Sequence, residues 1–270
     1  MSVLLAASIA LAALALVFFA VWRWQLRSLN AGMIDPVWAA SLGGVALLYA
    51  LAGTGDPSRR IAVGIGGACW GARLGFHLWR RNAGKPEDAR YRRLREEWGT
   101  EAPRRMLGFF LVQAVASSVL AISFAVPAYT RGRLPAVLIA VAVAIWIVAA
   151  AGEALADRQL AAFVAQPANR GKVCRAGLWR YSRHPNYFFE CLHWLAYVPL
   201  AAGSAWIALG IVPPLLMIWL LLRVSGIPML ETHLAQSRPE YPDYVRTTSA
   251  LIPWPPRKTR ADSTRLAAKE

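Results

Sequence analysis

The sequence predicts an all-α membrane protein, a bundle of seven transmembrane helices, and three observations lead there. Apolar residues make up 57% of the chain and charged residues only 17%, below the roughly 25% charge usual for a soluble domain. The apolar residues gather into runs near the ~20 residues a helix needs to cross the hydrocarbon layer. Basic residues, 30 against 15 acidic, lie mostly between those runs, where Lys and Arg set membrane orientation.

The seven runs are 3–22, 36–53, 61–79, 107–128, 134–156, 187–203 and 204–224. The first lacks a basic leader and a small-residue cleavage site, so it reads as a retained span rather than a signal peptide. The second opens on Asp35-Pro36, an N-cap followed by proline at the first helical position. The sixth opens in the same way on His184-Pro185-Asn186, which puts Asn186 near the positive end of its helix. Gly64-Ile65-Gly66-Gly67 lies inside the third span and suits close helix packing. The last two spans join tightly at Ala201-Ala202-Gly203-Ser204. There is no internal repeat, and no loop is long enough for a soluble domain. Residues 1–256 therefore read as one membrane domain and 257–270 as a basic, disordered tail.

The composition also restricts function. A net charge of +15 in a soluble protein would suggest nucleic acid; here topology accounts for most of it. A few Arg residues remain to neutralise a phosphorylated cofactor. Cys69, Cys174 and Cys191 are odd in number and form no CxxC, so neither a disulfide framework nor a metal site is expected. The chain has no G-x-S-x-G, no HExxH, no P-loop and no G-x-G-x-x-G. A bound dinucleotide would not use a Rossmann fold.

Ionisable residues within spans cost several kcal/mol against lipid and so face the bundle interior. Arg73 and His77 in the third span, Glu153 and Asp157 ending the fifth, and Asn186 and Glu190 in the sixth are each four apart. Each pair shares one helical face. His77 and His193 near the interface read as snorkelling or hydrogen-bonded groups, and Asp157 before Arg158 could be a solvated helix end. Glu190 lies within an apolar stretch. It could bind a cofactor, or pair with Arg73 to hold two helices together.

The stretch Gly177-Leu178-Trp179-Arg180-Tyr181-Ser182-Arg183-His184-Pro185-Asn186-Tyr187-Phe188-Phe189-Glu190 resembles the signature of bacterial steroid 5α-reductase-like membrane proteins. These are grouped with sterol C14-reductases and isoprenylcysteine carboxyl methyltransferases. Tyr241-Pro-Asp-Tyr244-Val-Arg246 with Leu251-Ile-Pro253-Trp254-Pro255-Pro256, and His77…Arg81 with Pro86-Glu-Asp88-Ala-Arg90-Tyr91, resemble further parts of that signature. The resemblance implies NADPH as cofactor. It implies Arg73, Glu153, Asp157, Lys172, Arg183, Asn186, Glu190, Tyr244 and Arg246 as cofactor-binding residues, and Asp35 as the second-span acid. The Asn and Glu four apart mark the reductases; the methyltransferases keep Arg-His-Pro-x-Tyr without that pair. Two positions depart from the pattern: Phe189 stands where glycine is common, and Trp70 where a proton-donating tyrosine is expected. An indole N–H cannot replace a phenol as an acid.

The expected activity is hydride transfer from NADPH to the β-carbon of a lipophilic α,β-unsaturated ketone, a 3-oxo-Δ4-steroid first among them. Asp35, kept protonated by burial, would stabilise the charge developing on the carbonyl oxygen. A methyltransferase using S-adenosylmethionine is the rival, and a sterol-like lipid sensor the non-enzymatic alternative. No nucleic acid and no obligate protein partner are expected. Putting the basic segments 80–106 and 157–186 on one side places the C-terminus in the cytoplasm and the N-terminus outside, in the inner membrane if bacterial. Cysteine labelling of intact cells tests this. A cysteine at residue 98 should react only after permeabilisation, and labelling from outside would reverse the topology.

Overall fold

A computed structural model describes residues 1–224 and 226–257, with the backbone alone at His233. Its regular elements are all helical; the described residues add one isolated parallel bridge between Ser182 and Ser249. Five stretches are long and apolar enough to cross a bilayer: Val3–Ser28, Ile34–Ala52, Ala89–Tyr129, Ala136–Ala165 and Ile207–Ser237. The expected third span is helical over Pro57–Asn82, 26 residues, but Arg59, Arg60, Arg73 and five glycines dilute its apolar character. The expected sixth span, 187–203, is corrected. Its helix, Pro185–Leu195, has 11 residues and covers about 16 Å at ~1.5 Å per residue, half the ~30 Å hydrocarbon core. A 3₁₀ turn at Pro199–Ala201 follows it. The tail reading for 257–270 lies outside the described residues from position 258 on.

The chain forms two compact units, Met1–Ala144 with Trp194–Leu216, and Ile145–His193 with the chain from Met217. The first contains α1 (Val3–Ser28), α2 (Ile34–Ala52), α3 (Pro57–Asn82), α4 (Ala89–Trp98), α5 (Ala102–Leu120) and α6 (Ile122–Tyr129). Helix α7 (Ala136–Ala165) starts in the first unit and ends in the second. Helix α8 (Pro185–Leu195) belongs mostly to the second, and α9 (Ile207–Trp219) mostly to the first. Helices α10 (Ile227–Ser237) and α11 (Tyr241–Thr247) complete the second unit.

In the first unit α2 and α3 meet backbone to backbone because their facing residues are small. A Cβ on Gly67 would stand 2.2 Å from the Cβ of Ala46, and one on Gly71 would stand 2.7 Å from the Ala39 carbonyl oxygen. Such contact is how membrane helices associate without a hydrophobic driving force. Beside this seam Trp70 packs edge-on to Trp38 and Trp194, with centroids 5.7 and 5.3 Å apart. Phe124 meets Trp194 and Tyr197 at 5.6 and 4.9 Å. Trp70 therefore fills the core of this unit.

The turn between α2 and α3 is held by two arginines. Arg60 donates to the Ala50 and Leu51 carbonyls at 2.8 and 3.1 Å, satisfying the last turn of α2. Arg59, 2% exposed, donates to the carbonyls of Leu200, Ala202 and Gly132. Carbonyl dipoles from two further turns thus surround a buried cation. Pro213 and Pro214 lie in the middle of α9, and a π turn follows the helix at Leu220–Val224. Proline removes backbone donors, which favours such irregularity.

Gly67→Ala should overpack the α2–α3 seam by roughly 1–3 kcal/mol. Gly44→Ala, with nothing within 4 Å of the added Cβ, should be neutral or better. Thermal denaturation in detergent should separate the two variants, with a lowered Tm for Gly67→Ala alone.

Candidate functional site

Proline is the first residue of α8, as Arg-His-Pro suggests, and Asn186 lies in the first turn. The Asn186 side-chain amide donates to Asp157 Oδ1 on α7 at 3.3 Å. Five residues earlier on α7, Gly152 lies against the ring of Phe189, so close that a Cβ would sit 2.3 Å from it. The two contacts make these stretches of α7 and α8 antiparallel neighbours. Glu153 and Glu190 therefore lie one turn away along the same seam, 4% and 6% exposed. Two of the four-apart pairs read from the sequence thus share one polar face, buried at Glu153 and Glu190 and half-buried at Asp157 and Asn186. Phe189 is accommodated because α7 has a glycine opposite it.

The start of α8 is fixed by a clasp within the second unit. Arg183 forms a bidentate pair with Glu231 on α10, Nε to Oε1 at 2.7 Å and Nη2 to Oε2 at 3.2 Å. Its remaining terminal nitrogen donates to the Val245 and Thr248 carbonyls at the end of α11. His184 Nε2 lies 2.9 Å from the same Glu231 Oε1, and its ring stacks on Tyr187. The Tyr244 hydroxyl donates to the carbonyls of Trp179 and Ser182. Burial pushes the Tyr244 phenol well above its ordinary value, so it remains a proton donor to these carbonyls. Ser182 Oγ donates to the Leu251 carbonyl at 2.7 Å, and the Trp179 indole donates to the Ala156 carbonyl at 3.0 Å.

Arg183 and Tyr244, read as cofactor ligands, have their polar atoms committed to the chain itself and hold α8 in place. Glu231 was missed, although it is the one acid in the stretch 224–239.

The N-cap reading of Asp35 is corrected. Helix α2 begins two residues earlier, at Ile34, with Met33 as N-cap, so Asp35 lies in the first turn. Its carboxylate accepts from Arg90 Nη2 and from the Tyr91 hydroxyl, each at 2.6 Å. Asp35 therefore accepts from two donors of the chain itself. The motif Pro86–Tyr91 supplies this network. Asp88 caps α4 through the Arg90 N–H at 3.0 Å and also accepts from Arg90 Nε and Arg81. Burial works against ionisation of Asp88, but the hydrogen bonds and charge of Arg90 hold its carboxyl down at about 2. Glu87 accepts from the Ala31 N–H and from Arg95, which also reaches Gln25.

The other expected ligands are placed separately. Arg73 is half-buried on α3, one turn before His77, in the first unit. Lys172 is exposed, and its carbonyl accepts from Arg238 at 2.8 Å. Arg246, 73% exposed, pairs with Asp243 at 2.6 Å. Among the described residues no group of three or more His, Cys, Asp or Glu could hold a metal ion.

A family model, that of a protein of unknown function (DUF1295), matches residues 21–248. No curated protein and no solved structure matches the chain.

Glu231→Gln removes the charge opposite Arg183 and should cost about 3–5 kcal/mol, the usual effect of breaking a buried pair. The Tm should fall, and limited proteolysis should cut more readily within 238–257. Thr232→Ala, on the exposed side of α10, should leave both unchanged.

Proposed function

The chain belongs to the DUF1295 family, and we propose that it is a multi-pass membrane reductase that uses NADPH to saturate the conjugated C=C bond of a lipophilic enone. The observation that carries this reading is the α7–α8 seam, where Asp157 and Asn186 touch with Glu153 and Glu190 buried beside them. The steroid 5α-reductase-like proteins and their relatives, which this chain resembles in its motifs, carry the same Asn and Glu spacing in their reductases. A nicotinamide carboxamide needs an acceptor for its NH₂ and a donor for its carbonyl, and a carboxylate beside an Asn side chain offers both. The donor set fits the group.

When bound, NADPH supplies the hydride. The chain's part is to orient the ring through Asn186 and Glu190, and to exclude water with the apolar surroundings of α8. Lys172 with exposed Arg158 and Arg170 would meet the phosphates, including the 2′-phosphate. A 3-oxo-Δ4-steroid is the substrate proposed first. In this reading Pro57–Asn82 crosses the bilayer in addition to the five apolar stretches, and the 185–203 segment, whose helix spans half the hydrocarbon core, enters it as the seventh. The N-terminus is outside and the C-terminus cytoplasmic.

In detergent, NADPH should raise the Tm, with clearly weaker effects from NADH and none from S-adenosylmethionine. Stabilisation by S-adenosylmethionine instead would favour methyl transfer, and equal affinity for NADH and NADPH would remove the 2′-phosphate contact. Glu190→Gln should keep the apo Tm but weaken NADPH binding or enone reduction. An apo-destabilised yet fully active variant would show that Glu190 only holds helices together.

A further inference from the structure

The strap after α11 is tightly held, yet it displays large apolar side chains. Leu251 is buried and its carbonyl is bound by Ser182. The Trp254 N–H donates to the Tyr181 carbonyl at 2.9 Å, and the Arg257 N–H donates to the Thr247 carbonyl at 2.9 Å. Prolines at 253, 255 and 256 stiffen the backbone between these points. Between the anchors, Ile252 is 63% and Trp254 69% exposed, beside Tyr181 at 41%. Exposed Arg180 and Arg257 flank them.

We propose that this strap docks on the bilayer itself. Trp254, Tyr181 and Ile252 would enter the headgroup region, and Arg180 and Arg257 would engage anionic lipid phosphates. The chemistry on the page favours this occupant. Trp and Tyr carry an apolar ring with a polar edge and concentrate at the membrane–water interface. Arginines next to them gain from a negative leaflet. The basic run continues in sequence through Lys258 and Arg260, and 258–270 offers only Leu266 as a large apolar residue. Residues 258–270 are thus poorly suited to cover the patch, whereas a protein built from apolar crossings always has a bilayer interface within reach. The inference is independent of the proposed reduction.

Site-directed spin labelling of the full chain tests it, after replacement of Cys69, Cys174 and Cys191. The label is introduced by Ile252→Cys, with Arg93→Cys on the exposed side of α4 as the aqueous reference. The protein is reconstituted in phosphatidylglycerol–phosphatidylethanolamine vesicles. Collision with lipid-soluble oxygen, relative to a water-soluble nickel chelate, should be several-fold higher at 252 than at 93. That ratio should fall in neutral phosphatidylcholine vesicles or with Arg180→Gln and Arg257→Gln. A ratio at 252 equal to that at 93 overturns the proposal. Shielding from both reagents also overturns it, since a protein surface would then be the occupant. Lipid exposure that ignores headgroup charge overturns the part given to the arginines.

Discussion

The bidentate pair between Arg183 and Glu231 is the interaction on which the second unit depends. A guanidinium 8% exposed is tolerated only if its charge and its donors are matched, and here Glu231 matches the charge while two α11 carbonyls take further donors. This one side chain therefore ties the start of α8 to α10 and to the end of α11. Because His184 shares the same carboxylate and Pro185 follows, the direction in which α8 leaves the clasp is set before Asn186 is reached. The polar seam inherits its geometry from that departure. Arg-His-Pro is in this sense a positioning element, one turn removed from the groups that can meet a ligand.

The first unit solves the same problem of charge in an apolar protein with different partners. Arg59 is surrounded by carbonyls from three residues in two turns. Asp35 is matched by Arg90 and a phenol, and Glu87 by Arg95 and a backbone N–H. The α7–α8 face instead gathers three carboxylates and a carboxamide, and that set of donor and acceptor types makes it the candidate for binding.

Much of this was legible in the sequence where a local rule was enough. Pro185 begins α8 because its missing N–H costs nothing there, and the glycines of α3 allow close packing as their run inside a span suggested. Four-apart spacing placed Asn186 with Glu190 and Glu153 with Asp157 on shared faces, and the structure shows those faces on neighbouring helices. The length of the sixth span was not legible, since hydropathy averages over Pro199 and Gly203 and does not register that the helix stops at Leu195. Long-range pairing was not legible either. Nothing local connects Asp35 with Arg90 or Arg183 with Glu231, because those partners are chosen by tertiary packing. The partners of Asp35 and Arg183 thus came into view only with the structure.

The account holds that Glu190, set beside Asn186 by the Arg183 clasp, grips the carboxamide of nicotinamide. The most direct test compares NADPH with its 3-acetylpyridine analogue, which keeps the carbonyl but lacks the NH₂ that Glu190 would accept from. Affinities are measured by energy transfer from tryptophan in wild type and in Glu190→Gln. Wild type should prefer NADPH several-fold, and the variant should lose that preference while binding the analogue as wild type does. The same preference in both proteins would contradict the contact, and failure of wild type to bind either nucleotide would contradict the function.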